Sequence, residues 1–186
     1  MSAPTPLRAD GTWGVDPEHS SIEFRVRHLM IEAVKGRFLD FEGALETGEA
    51  PQIAGRVRAA SLETHHQERD EHLRSADFFD VERHPEIVFV SSKVDVTDDG
   101  SLLLAGGLTI KGITRPVEFA GAYRGAGIGL DGRERIGFEL RGKLDRLDYG
   151  LSWNRTLEAG GILVGNTVEL TLAVAAVRRV AVEQAA

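Results

Sequence analysis

The sequence predicts an all-β protein with one short helix, in which about eight antiparallel strands close into a barrel or pack as a sandwich. Three observations favour this class. Apolar and polar residues alternate with a period of two in about eight segments, as in strands that bury one face. Glycine is frequent, with 21 among 186 residues, which is typical of a chain with many turns. Several segments run to about ten residues, and long strands closing at about eight enclose side chains or one small ligand.

The clearest strand lies in residues 20–29, where Ile22, Phe24 and Val26 alternate with charged residues. Three further segments show the same alternation, at residues 116–125, 134–147 and 166–177. Weaker alternation completes the set at residues 36–45, 53–60, 87–96 and 102–110. Between Phe38 and Phe41 the alternation slips by one residue, which predicts a β-bulge at that point.

The segment from Gln67 to Ala76 breaks the alternation and predicts the single helix. Its first turn is rich in acidic residues, which suit a helix amino terminus. Pro85 forces the residue before it toward extended backbone, so the helix must end earlier in the chain. We therefore expect a helix that covers the barrel, with Phe78 and Phe79 turned inward at its exit.

Composition sets limits on function and organisation. The formal net charge of −7 argues against binding of nucleic acid and against docking on anionic lipid, since both favour a basic surface. The absence of cysteine excludes disulfides and zinc–thiolate sites. No membrane-spanning helix is expected, because no stretch approaches the roughly 20 apolar residues that a span requires. Residues 1–11 are predicted to be a flexible leader, residues 12–180 one barrel domain, and residues 181–186 a tail.

Five motifs, in order, resemble the YceI-like family of lipid-binding proteins. They are Trp13 with VDPEHSSIEFRVRHL, GRFLDFEG, SLETHHQERDEHLRSADFFDVERHPEIVF, GGLTIKGITRPVEF and DRLDYGL. The resemblance covers residues 13–177 and implies an extended lipocalin-like antiparallel β-barrel whose apolar bore holds a polyisoprenoid or similar long-chain lipid. It implies no cofactor, and it implies a homodimer, since dimers are common in the family. Many members carry a signal peptide; none is visible here, so we expect a cytoplasmic protein.

The apolar bore is predicted from the phenylalanines, which are spread over most strands and the helix. We expect nine residues to contact the lipid tail: Phe24, Phe38, Phe41, Leu73, Phe78, Phe79, Phe89, Phe119 and Phe138. The alternative is a structural or stress-protective dimer whose barrel is filled by these side chains, and the alternation of residues does not choose between the two.

A polar head group is predicted to meet a second set at the mouth of the bore: His19, Arg69, Asp70, His72 and Arg115. Arginine suits a phosphate, and a His–Asp pair suits a hydrogen-bonded anchor. In the alternative interpretation, Arg69, Asp70 and Arg74 fix the helix to the barrel rim by hydrogen bonds.

Catalytic and metal sites are not expected. His65, His66, Glu68, Asp70 and His72 form a dense cluster, but no HExxH pattern is present and adjacent histidines do not easily share one ion. No GxSxG motif marks a nucleophile. The predicted function is therefore non-covalent lipid binding rather than catalysis. The alternative is an enzyme on the same scaffold that uses His72 with Asp70 on a hydrophobic substrate.

Overall fold

The computed structural model describes residues 10–29, 31–156 and 163–179. The predicted tail and all but Asp10 and Gly11 of the predicted leader lie outside these ranges. The described residues form one α-helix, α1 (Gln67–Arg74), and eleven strands. The strands are β1 (Gly11–Val15), β2 (Ser21–His28), β3 (Glu32–Phe38), β4 (Phe41–Thr47), β5 (Gln52–Arg58), β6 (Leu62–Glu63), β7 (Glu86–Val96), β8 (Ser101–Ile110), β9 (Ile113–Ile128), β10 (Glu134–Asp145) and β11 (Val164–Arg178).

The strands form a closed antiparallel barrel, which confirms the predicted class. Eight strands follow one another in the order β1-β4-β5-β7-β8-β9-β10-β11, and a further pairing of β1 with β11 closes the ring. Strand β11 has two partners on the same edge, because its last residues pair with β1 and its earlier residues pair with β2. Strands β2, β3 and β6 extend the sheet from there, so the barrel is longer on this side.

The bulge predicted between Phe38 and Phe41 is wrong, because the strand is interrupted there completely. Phe38 ends β3 and Phe41 begins β4, and the two strands pair with β2 and β1 respectively. The backbone N–H groups of Leu39 and Asp40 donate instead to the Ser61 hydroxyl, at 3.2 and 3.1 Å. The Leu39 N–H also donates to the carbonyl oxygen of Ser61, at 3.2 Å, so the chain changes partners without leaving these donors unpaired.

The predicted helix is confirmed, although it ends two residues earlier than expected. The side chain of His66 caps its amino terminus by accepting from the N–H of Arg69 at 3.3 Å. At the carboxyl end the backbone of Ser75 turns extended, with ψ at 173°. Phe78 and Phe79 then follow in a series of turns that leads to β7, and both contact the core as the sequence predicts.

Buried apolar residues pack at both ends of the barrel. Trp13 is only 3% exposed and lies opposite Leu45 across β1 and β4. Leu102 and Ile136 are equally buried at the neighbouring ends of β8 and β10. At the far end, where α1 lies, Leu62, Tyr149 and Ile110 are buried to a similar degree.

Candidate ligand-binding cavity

The barrel encloses a cavity of about 390 Å³, within the range of about 300–1,000 Å³ of small-molecule sites. Its walls come from most strands, from α1 and from the segments that follow α1 and β10. All nine apolar residues expected in the bore line it: Phe24, Phe38, Phe41, Leu73, Phe78, Phe79, Phe89, Phe119 and Phe138. The barrel interior is therefore hollow rather than filled by side chains.

Three of the phenylalanine rings lie against glycines of the adjacent strand. A Cβ atom placed on Gly36 would lie 2.3 Å from the ring of Phe24, which is its direct partner across β2 and β3. Phe119 likewise lies over its direct partner Gly142, at 2.6 Å, and Phe89 lies over Gly106, two residues from its own partner Leu108, at 2.7 Å. Each ring occupies the volume that a side chain would fill if the glycine on the adjacent strand were a larger residue. The glycines thus hold these rings against the wall and keep the centre of the barrel open.

We expect Gly36→Ala to push the Phe24 ring into the cavity. The substitution overpacks a well-filled contact, so it should lower the free energy of unfolding by about 1–3 kcal/mol. It should also weaken binding of an apolar ligand. The control is Gly127→Ala, since a Cβ there has no neighbour within 4 Å. Urea denaturation of both variants checks the prediction, and equal stability of the two would contradict it.

Two further glycines widen the cavity at β4 and β5. Gly43 and Gly55 face each other directly across β4 and β5, and both line the cavity. A Cβ on Gly55 would meet only the carbonyl oxygen of Glu42, at 3.5 Å, which is an ordinary contact. A side chain introduced at this position would consequently project into the hollow without displacing the backbone.

At the α1 end, two of the predicted polar residues, Arg69 and His72, line the cavity. The His72 ring stands edge-on to Phe78 and Trp153, with ring centroids 5.1 and 4.6 Å away. Its Nε2 atom lies 2.8 Å from Asp77, which orients the imidazole. The cavity thus ends in an aromatic cluster that carries nitrogen donors, while its walls elsewhere are almost entirely apolar. We call this end, where His28 and Leu163 also lie, the mouth.

Asp70 faces away from the cavity and anchors α1. Its Oδ1 accepts hydrogen bonds from the backbone N–H and the hydroxyl of Thr64, at 2.9 and 2.5 Å. Arg69 donates to the same Thr64 hydroxyl at 2.7 Å, and Arg74 donates to the carbonyl oxygens of Ala60 and Leu62. These hydrogen bonds fix the helix to the barrel rim, as the alternative interpretation of Arg69, Asp70 and Arg74 predicts. The His72–Asp70 pair required by the enzyme alternative is not formed, because Asp70 is bonded to Thr64 and His72 to Asp77.

The structure does not bring His19 and Arg115 to the cavity. His19 ends a short 3-10 turn after β1 and is bonded to Asp16 at 3.0 Å, so that it faces solvent. Arg115 lies near the start of β9, where the strand passes the rim and its side chain is exposed. The predicted polar set of five is thus reduced to two residues that line the cavity.

Two residues of the mouth were not expected from the sequence, Arg146 and Trp153. Arg146 is 3% exposed, and its guanidinium donates to four carbonyl oxygens. The acceptors are Leu151, Trp153 at 2.9 Å, Val164 at 3.2 Å and Gly165 at 2.9 Å. Burial lowers the pKa of this guanidinium, but an arginine remains cationic at neutral pH. Its position in a turn-like DRLDYGL motif gave no signal of this burial.

The histidine-rich segment does not assemble a metal site. Within the described ranges, the only grouping of potential ligand atoms is Asp16, Glu18 and His19, outside the predicted cluster. Asp16 there accepts from the N–H of Glu18 and pairs with His19, which accounts for its position in the turn. Among the described residues, none of the helices has the length and apolar character that crossing a bilayer requires.

Comparison with known proteins shows extensive similarity. A family model for the YceI-like domain matches residues 13–176. A UPF0312 protein of Pseudomonas putida is 34% identical over 155 residues, which are 81% of each chain. Among solved structures, BcnA of Burkholderia cenocepacia superposes with a TM-score of 0.75 at 18% identity, covering 87% of this chain and 98% of BcnA. A polyisoprenoid-binding domain from Saccharophagus degradans superposes with a TM-score of 0.67 at 14% identity, covering 90% and 98%. At these identities the two structures establish the shared fold.

Proposed function

This chain belongs to the YceI-like family, and on that premise we propose that it binds a polyisoprenoid or a similar long-chain lipid non-covalently and shields it from water. The observation that carries the proposal is the hollow, almost wholly apolar interior of a closed barrel. The structurally similar Saccharophagus degradans domain is described as polyisoprenoid binding, which supports the same ligand class here.

Burial of apolar surface supplies the binding energy. Each Å² of apolar surface removed from water contributes roughly 25 cal/mol, and each buried CH₂ about 0.8 kcal/mol. A long hydrocarbon chain can therefore bind tightly with few polar contacts. The methyl branches of an isoprenoid suit a wall of aromatic rings and glycine-lined recesses, such as the one at Gly43 and Gly55.

We propose that the polar end of the lipid lies at the mouth, beside Arg69 and His72. Both residues line the cavity and carry nitrogen donors, so they suit a ligand oxygen such as that of a hydroxyl, a quinone or a phosphate. A water-facing head and a buried tail would fix the direction in which the lipid enters.

The decisive experiment is native mass spectrometry of freshly purified full-length protein, followed by organic extraction of the bound material. A discrete added mass that extracts as a prenyl or other long-chain lipid supports the proposal. A bare polypeptide mass, in protein that also takes up no added polyprenol or isoprenoid quinone, would refute it.

We expect Gly55→Leu to weaken lipid binding while the fold survives. The new side chain fills part of the cavity, and its Cβ meets only one atom at an ordinary distance. Affinity for a polyprenol should fall by at least about tenfold, because the chain loses the space for more than one buried CH₂. Gly127→Leu is the matched control, since it adds the same side chain to an open position of β9 that does not line the cavity. Equal affinity of the two variants would contradict this placement of the ligand.

Lipid transport, a cytoplasmic location and a homodimer remain predictions. Transfer of a fluorescent polyprenol between vesicle populations measures the first, and cell fractionation measures the second. Light scattering of the eluting protein during size-exclusion chromatography determines the third.

A further inference from the structure

The cavity ends before the end of the barrel that lies opposite the mouth. Strand β8 runs from that end toward α1, since Lys111, in the turn after β8, donates to the carbonyl oxygen of Ala76 at 3.1 Å. Because neighbouring strands are antiparallel, β10 also begins at that end and β4 finishes there. The cavity-lining residues nearest that end are Leu102 on β8, Phe138 on β10 and Leu45 on β4. We call these three residues, which are 3–5% exposed, the floor of the cavity.

A second layer of side chains lies beneath the floor. Each floor residue pairs in register with one residue of this layer: Leu45 with Trp13, Leu102 with Val96 and Phe138 with Tyr123. These three partners do not line the cavity, and all of them belong to the hydrophobic core or pack against it. Strands tilt relative to the axis of a closed barrel, so register partners stand at different depths. A lipid tail that reaches the floor therefore meets packed side chains.

Trp13 is the largest residue of this second layer, and its neighbours hold it in place. Its indole N–H donates to the Thr47 hydroxyl at 3.2 Å, and that hydroxyl donates to the carbonyl oxygen of Gly11 at 3.2 Å. Gly11 makes room for the indole, because a Cβ atom there would lie 3.1 Å from Nε1. The Arg178 guanidinium lies over the ring, 5.6 Å from its centroid. The second layer is consequently fixed, and it does not readily make way for a longer tail.

We propose that the floor sets the greatest length of lipid tail that the cavity holds. This inference rests on the proposed function and deepens it, because it names the residues that select among isoprenoid chains of different length. Carbon atoms that enter the cavity gain the free energy of apolar burial, whereas carbon atoms that the floor keeps outside stay in contact with water. Affinity should consequently rise with chain length only until the tail reaches Leu45 and Leu102.

The test is competition among prenyl alcohols for the full-length protein, measured by native mass spectrometry of equimolar mixtures. Geraniol, farnesol, geranylgeraniol and longer all-trans polyprenols form a series that grows by one isoprene unit at each step. Affinity should rise at least about tenfold for each unit that the cavity holds, and less than about threefold for each unit beyond that limit. A rise of tenfold or more that continues with every added unit would overturn the proposal.

Two substitutions of Leu102 should move this limit in opposite directions. Leu102→Ala opens space at the floor, so the first isoprene unit beyond the wild-type limit should add at least about tenfold in affinity. Leu102→Phe raises the floor, so the last unit that the wild-type cavity holds should add less than about threefold.

Leu108→Ala is the matched control for Leu102→Ala. Leu108 also lies on β8, lines the cavity and is buried, but it stands nearer the mouth. Its loss should change the affinity for every chain and leave the length limit where it is. A limit that moved equally in Leu102→Ala and Leu108→Ala would show that cavity volume alone matters, and it would overturn the role of the floor.

A photoreactive ligand locates the tail in the wild-type protein, without any substitution. A prenyl alcohol of the limiting length, with a diazirine at the end of its tail, should label Leu45, Leu102 or Phe138 after irradiation. Peptide mass spectrometry identifies the labelled residue. Labelling of Arg69 or His72 instead would place the end of the tail at the mouth and would overturn the proposal.

These measurements separate the length limit from the lipid-binding function. If no prenyl alcohol binds the wild-type protein, the proposed function fails, and the length limit fails with it. Suppose instead that the alcohols bind with the same dependence on length in wild type and in the Leu102 variants, with the fold verified by circular dichroism. Lipid binding then stands, and the length limit alone is overturned. A limit that moves only with the substitutions at Leu102 supports both.

Discussion

Replacing Arg146 by alanine is expected to lower the free energy of unfolding by about 3–5 kcal/mol, because it leaves several buried carbonyl oxygens without a donor. The guanidinium ties the turn that contains it to the segment at Leu151 and Trp153 and to the start of β11. All these acceptors are backbone groups that cannot move independently. Urea denaturation followed by circular dichroism measures the effect.

Two further variants separate the contribution of charge from that of geometry. Arg146→Lys keeps the cation but presents its three donors from a single point, so it should recover only part of the lost stability. Arg141→Ala removes an arginine that is 75% exposed on β10, the strand that leads to Arg146, and should change stability by no more than about 0.5 kcal/mol. If Arg146→Ala proved as mild as Arg141→Ala, the carbonyl cage would not be a stabilising element. Because Arg146 and Trp153 border the mouth, the destabilised variant should also bind lipid more weakly.

Replacing Asp70 by alanine is expected to release α1 from the barrel and to cost about 3 kcal/mol or more. The carboxylate accepts two hydrogen bonds from Thr64, and hydrogen bonds to charged groups contribute about 1.5–3 kcal/mol each. Since α1 supplies Arg69, His72 and Leu73 to the cavity, its release should open the mouth and speed ligand dissociation. Amide hydrogen exchange over residues 62–79 and the off-rate of a fluorescent polyprenol measure the two effects.

Glu71→Ala is the matched control for the Asp70 variant. Glu71 is exposed on the same helix, where it accepts from the Gln67 side chain, so its loss should change stability and ligand off-rate little. Asp70→Asn keeps one acceptor oxygen and should fall between the two. Unchanged hydrogen exchange in the Asp70→Ala variant would mean that Arg74 and the aromatic contacts alone hold the helix in place.

Local periodicity allowed much of the fold to be predicted. The alternation through Ile22, Phe24 and Val26 gave a strand with one buried face, and the same pattern elsewhere gave the antiparallel class. The charged run after Gln67 gave the helix, since its residues neither alternate nor form an apolar stretch. The nine apolar residues expected in the bore all line the cavity, because a barrel has one interior and the inward face of each strand is its apolar one. Their contact with a lipid stays a prediction.

Other features depend on which strands become neighbours. The interruption after Phe38 reflects a change of partner from β2 to β1, which a single strand does not reveal. The Phe24 ring can lie against the wall because Gly36, its partner across β2 and β3, has no side chain. The cavity is wide at Gly55 because Gly43, its partner across β4 and β5, has no side chain either. In a sequence, a glycine is as typical of a turn as of a position that makes room for an aromatic ring or widens a cavity.

The polar residues show most clearly which features follow from the sequence and which depend on the tertiary structure. The sequence determined which groups were available near the helix: two arginines, an aspartate and a histidine within one short segment. Only the tertiary structure decided that Asp70 turns to Thr64, that His72 faces the cavity, and that Arg146 is buried in a ring of carbonyls. The physical reason is that apolar burial follows the local pattern of the chain, whereas a hydrogen bond needs a partner at a fixed distance and angle. The fold alone brings those partners together.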